Sequence, residues 1–166
     1  MSVTATIGLT MQVVETVGVD AAGAVDATKN SVTFSKLGVA STSLGAATTP
    51  TANIHAVGQQ ALTAGAASID LTALTGLNGV AVSLNAKTLR AVLFQNPAAN
   101  ANAITIAKGA ANGYTGFGAT YSETLQPGQT KLVYLAAAGT AVSGTVKTLD
   151  ITGTGAQVLN YEIVAG

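Results

Sequence analysis

The chain is 166 residues long, enough for one domain with a substantial core. Only 8% of it is charged, against roughly 25% in an average globular protein. Seven basic side chains balance seven acidic ones and there is no cysteine, so no net field draws in nucleic acid or an anionic membrane, and disulfides and thiolate metal sites are excluded.

Residues 3–13 alternate, with Val3, Ala5, Ile7, Leu9, Met11 and Val13 on one face and threonines mostly opposite. A period of two predicts a long strand, or an extended arm that pairs with a neighbouring subunit. The stretch has no basic n-region and no continuous apolar h-region, so it does not read as a signal peptide. No run in the chain nears the roughly 18 apolar residues that span a bilayer. GVDAAGAVDATKN (18–30) reads as a loop and SVTFSK (31–36) as a short strand. From Leu37 to Gln60 the pattern fails, with glycines, Pro50 and a Ser/Thr cluster. So long a structureless stretch suits a functional loop or a connection from arm to body. Residues 1–60 are therefore expected to be a strand or arm plus an irregular connection, and 61–166 a β-sandwich body, in one compact domain overall.

The body is more regular. Ile69, Leu71 and Ala73 alternate with Asp70 and Thr72; after TGLNG come Val80, Val82 and Leu84. TLRAVLFQ (88–95) is apolar on both faces except for Arg90, which predicts a central strand. NPAANAN (96–102) is a turn, Ile104 and Ile106 flank Thr105, and 109–118 is a glycine-rich excursion. YSETLQ leads to Pro127-Gly128, suited to a type II turn, followed by KLVYL (131–135). TVKTLDI (145–151) and QVLNYEIV (157–164) close the chain, joined by TGTGAQ, which reads as a hairpin. Short strands separated by turn signals, without a helical period, predict an all-β fold: an antiparallel β-sandwich, jelly-roll-like, with an extended N-terminal arm or strand. The surface left over is neutral and made of small residues, which suits a subunit that touches other subunits.

Groups for chemistry are few. His55 is the only histidine, and a histidine base needs an acidic orienter such as Asp70 or Glu123, to which no spacing links it. No Gly-x-Ser-x-Gly elbow occurs. Asp20, Asp26 and Asn30 could offer oxygens to calcium, but Asp20 is followed by Ala-Ala-Gly, so the EF-hand pattern is missing. Glycines 109, 113, 116 and 118 do not form a phosphate loop, since Gly118 leads to Ala-Thr-Tyr and Lys108 precedes the loop. Tyr114 and Phe117 in that loop are either contact anchors or core residues. Arg90 either pairs with an acid, faces a subunit interface or sits exposed at a strand edge. The seven basic residues are scattered, with no patch for nucleic acid. No cofactor, no metal and no enzymatic activity are expected.

The strings VLFQNPAANANAITIAKGAANGY, ETLQPGQTKLVYL and LDITGTGAQVLNYEIVAG resemble the decoration, or cement, proteins of tailed bacteriophages. The likeness covers about residues 88–166: a strand ending in Asn-Pro, an Ile-x-Ile strand, a Pro-Gly turn before an apolar strand, and Gly-Thr-Gly before the last one. The resemblance implies a structural virion protein made in the host cytoplasm. It implies a homotrimer on the outside of the head, with itself and the major capsid protein as partners. It carries no functional residue over to this chain. Candidate interface residues come from the patterns above: Val3, Ile7, Leu9 and Met11 on the arm, Tyr114 and Phe117 on the loop. The alternative is a tail or fibre component, a β-sandwich that binds a receptor or carbohydrate, with Tyr114, Phe117 and Tyr121 as its aromatic cluster.

Overall fold

The structure, a computed structural model, describes residues 4–7, 42–76, 79–135 and 139–166. Those residues form β-strands and turns, with no α-helix. Contacts divide the chain into one unit of residues 6–43, nearly all outside the described residues, and a second of residues 1–5 and 44–166. Strands β1 (Thr4–Ile7) and β2 (Thr42–Gly45) pair with each other in a two-stranded sheet.

The second unit is built on two four-stranded antiparallel sheets. One has the order β10 (Thr130–Tyr134), β7 (Leu89–Gln95), β12 (Val158–Ala165), β3 (Ile54–Ala61). The other has the order β4 (Ala66–Asp70), β11 (Thr148–Thr152), β8 (Ile104–Lys108), β9 (Ser122–Leu125). A short hairpin, β5 (Leu74–Thr75) with β6 (Ala81–Val82), forms a sheet of its own, with Leu74 buried in the shared core. The pairings are nested: β8 with β9, β7 with β10, β4 with β11, β3 with β12. The chain thus runs out through four strands and returns through four, folded back on itself between β8 and β9.

Alternation within each strand sends one face inward. Leu159, Tyr161 and Ile163 of β12 and Val92 and Phe94 of β7 meet Leu149 and Ile151 of β11 and Ile104 and Ile106 of β8 in a single buried cluster. β7 is central, as its two-sided apolar pattern predicts. Gly128 has φ 82° and the Gln129 N–H donates to Gln126 O at 2.9 Å, the geometry of the type II turn read from Pro-Gly.

Three expectations change. The body includes β3, inside a segment that looks irregular, because its inward residues Ala56 and Gly58 are too small to signal a strand. The same compact unit takes in residues 1–5 and 44–166. The strand read through Ala73 stops at Asp70, whose carboxylate accepts the Thr72 N–H (2.8 Å) and hydroxyl (2.6 Å) and turns the chain. The TGTGAQ link is not a hairpin: β11 and β12 lie in different sheets, and the link crosses between them. Gln157 secures that crossing, with its Oε1 accepting the Thr154 N–H at 2.6 Å and its Nε2 donating to Asn102 O at 2.7 Å.

Candidate functional site: the outer face of one sheet

The residues not turned inward on β10, β7, β12 and β3 form three rows across the strands. Register sets them as Thr130–Gln95–Asn160–Gln59, then Leu132–Leu93–Glu162–Val57, then Tyr134–Ala91–Val164–His55. The first row is neutral and amide-rich, the second apolar apart from Glu162, and the third ends in an aromatic at one side and a histidine at the other. Tyr134 is 36% exposed. Between the first two rows lies an open concavity of about 340 Å³, floored by Leu93 and Val57 and bordered by Gln59, Gln95, Asn160 and Glu162.

Side-chain contacts hold this border. Asn160 Nδ2 donates to Gln95 Oε1 at 3.0 Å across the strands. His55 Nε2 lies 2.8 Å from Glu162 Oε1, a diagonal pair on β3 and β12. The imidazole is the more buried partner, at 19% exposure against 49% for the carboxylate, so Glu162 keeps one side to solvent. Asn160 Oδ1 is buried without a hydrogen-bond partner.

His55 is thus joined to Glu162 and not to either acid weighed from the sequence. Asp70 pairs with Lys147 at 2.6 Å and Glu123 with Lys131 at 3.1 Å. Burial is the largest single influence on the Asp70 carboxyl and raises its pKa. Hydrogen bonds from Lys147 and Thr72, with the lysine charge, outweigh it and leave the group below the usual range. Sequence reasoning missed Glu162 because only register shows that it and His55 share a face.

Tyr114 belongs to the core rather than to a loop tip: it is fully buried and its hydroxyl donates to Thr140 O at 2.9 Å. Phe117 packs edge-on against it, with ring centroids 5.3 Å apart, and against Phe94 at 6.4 Å. Tyr121 tilts onto Phe117 at 4.8 Å. The glycine loop folds inward because Gly116 has no Cβ; one there would collide with the Tyr114 hydroxyl. Tyr114 is a core residue and not a surface anchor, and the aromatic cluster weighed for ligand binding packs against the core. Burial pushes the Tyr121 phenol up to about 12 and raises those of Tyr114 and Tyr161.

Ile7 is placed in β1, whereas Val3, Leu9, Met11, Asp20, Asp26 and Asn30 lie outside the described residues. Arg90 is half-buried on β7 and donates to Thr51 O (3.1 Å) and Gly166 O (3.4 Å). Among the described residues no cluster of three or more metal-ligating side chains occurs, and no helix is long and apolar enough to cross a membrane.

The chain matches no family model, no curated protein and no solved structure.

Proposed function

We propose that this chain is a structural virion protein, a decoration protein that binds the outside of a tailed-phage head and stabilises it. One observation carries most of the reading: both outer faces of the sandwich are nearly uncharged. On the β4–β11–β8–β9 sheet the outward residues are Ala, Ser and Thr with Asp70 and Asp150, and on the opposite sheet the outward rows hold Glu162 and His55, with the half-buried Arg90 at the register shift near the start of β7. Such faces lack the charge that keeps a lone subunit soluble and unassociated, and they suit broad contact with neighbours. The nested strand pairing supports the jelly-roll form that the resemblance implies, since a long hairpin rolled on itself gives that strand order. The major capsid protein and further copies of this chain, as a homotrimer, are the partners, and no reaction is catalysed.

Stabilisation of the shell then follows from binding the assembled form only, which shifts stability by mass action. A specific contact on the order of 1,000 Å² is required. Light scattering of the purified protein tests the trimer, and heat inactivation of particles with and without the protein tests the stabilisation. A second reading, a receptor- or carbohydrate-binding component of a tail or fibre, is favoured by the amide-bordered concavity.

A further inference from the structure

The geometry points to the concavity on the β10–β7–β12–β3 sheet as a binding site for a neutral saccharide unit. The inference rests on the second reading above, which it makes specific, and not on the capsid reading, so a failed sugar titration leaves the decoration role standing.

The lining selects the chemistry. Gln59, Gln95 and Asn160 border the hollow; Asn160 Nδ2 donates to Gln95 Oε1, which leaves the Gln95 Nε2 donors and the Gln59 amide, with its donors and acceptor, to complement the hydroxyls of a ring. Glu162 adds a carboxylate that can accept hydrogen bonds from hydroxyl groups through the oxygen not engaged by His55. Its outer oxygen is open to solvent while its other oxygen is engaged by His55 at 2.8 Å. Leu93 and Val57 form an apolar floor on which the C–H face of a sugar ring can lie.

Other ligand classes fit badly. An anion such as a phosphate or nucleotide would meet Glu162 with no lysine or arginine in the lining. A metal ion would find a single carboxylate. A wholly apolar ligand would strip water from the Gln59 and Gln95 amides and from Glu162 and give them nothing in return. The volume, about 340 Å³, is at the lower end of the range for small-molecule sites, and suits one or two rings. No aromatic side chain from outside the core stacks in the hollow, so binding is weak for a single ring and grows when several copies engage one polymer.

The test is a nitrogen-15 NMR titration of the full chain with methyl α-glucoside, methyl α-galactoside, methyl α-mannoside and N-acetylglucosamine. Dextran and galactan oligosaccharides form a second arm that separates a free sugar from a polymer-borne one. Saturable shifts confined to residues 57–59, 93–95 and 160–162 are expected with at least one probe. Leu93→Arg, which fills the floor with a charged side chain, should abolish them, and Glu162→Gln should weaken them several-fold. Both variants must keep the wild-type spectrum outside the site; if Leu93→Arg fails to fold, Glu162→Gln with Gln95→Ala decides instead. Shifts scattered over the surface, shifts unaffected by these variants, or no shift with any probe would overturn the proposal.

Discussion

Asn100 and Val158 are 58 residues apart, yet the side chain of one completes the backbone of the other. Asn100 Nδ2 donates to Val158 O at 2.7 Å, and the Val158 N–H donates to Asn100 Oδ1 at 3.2 Å, so the amide acts as a neighbouring strand would. The same Nδ2 reaches Asn96 Oδ1 at 2.6 Å, and the fully buried Asn96 donates to Leu125 O and Asn102 O. One turn between β7 and β8 thereby ties the start of β12 to the end of β9.

Asn96→Ala should therefore cost about 1–3 kcal/mol, because it removes the side-chain donor to Leu125 O and the acceptor for Asn100 Nδ2, while Asn102 O keeps only Gln157 Nε2. Asn100→Ala should cost a similar amount by freeing the first backbone pair of β12. Urea unfolding checks both, and losses below about 0.5 kcal/mol, the ordinary size for a surface change, would show that water replaces the network.

Gly58 faces Tyr161 in the β3–β12 register, and a Cβ at 58 would lie 2.6 Å from the Tyr161 hydroxyl and 2.8 Å from Cζ. Gly58→Ala should destabilise by about 1–3 kcal/mol through overpacking. Adding Tyr161→Phe should recover part of that loss, a favourable coupling measurable in a double-mutant cycle. Strict additivity would contradict the contact.

Much of this architecture is legible in the sequence, and the failures share a cause. Strands with large inward residues, such as Ile104 and Ile106 or Leu159, Tyr161 and Ile163, announce themselves by period. β3 does not, because the ring of Tyr161 occupies the space that a side chain at Gly58 would fill. The crossing after β11 could not be told from a hairpin, since glycines permit either and the choice depends on which sheet each strand joins. Tyr114 shows the same limit: an aromatic between glycines can point out or in, and the missing Cβ at Gly116 lets it turn in. The His55–Glu162 pair is set by register alone, which local pattern does not encode.

Alkaline stability follows from the buried phenols. The Tyr121 pKa, raised by burial to about 12 from an unfolded value near 10, favours the neutral phenol in the fold. Its contribution is present in full below about pH 10 and is lost as pH rises towards 12. Tyr114 and Tyr161 shift in the same direction. Since the Tyr121 hydroxyl is buried without a partner, Tyr121→Phe should keep or raise stability at pH 7 and reduce the alkaline loss. Melting temperatures between pH 8 and 12 decide; an equal loss in the variant would contradict the assignment.

On the acid side Asp70 has the opposite sign. Its lowered pKa means that its stabilising contribution is present above about 3.8 and is lost as pH falls through the folded value. Asp70→Asn should be less stable than the parent at pH 7 and closer to it at pH 3. A constant gap across that range would mean that the Lys147 pair contributes nothing.

None of the eight sandwich strands pairs with residues 1–36 among the described residues. Deleting that segment should leave a folded body with a cooperative melt. If the alternating residues from Val3 to Val13 contact a neighbouring subunit, the same deletion should abolish assembly or particle binding. Normal assembly of the truncated protein would refute the arm's role.

The place of the protein on a phage particle is the most direct test of the capsid reading. Electron cryomicroscopy of the parent particle should reveal the sandwich as trimers on the outer surface of the head, in a number that scales with the capsid subunits. Density for a few copies at the tail tip, with none on the head, would contradict the decoration role and transfer the protein to receptor binding.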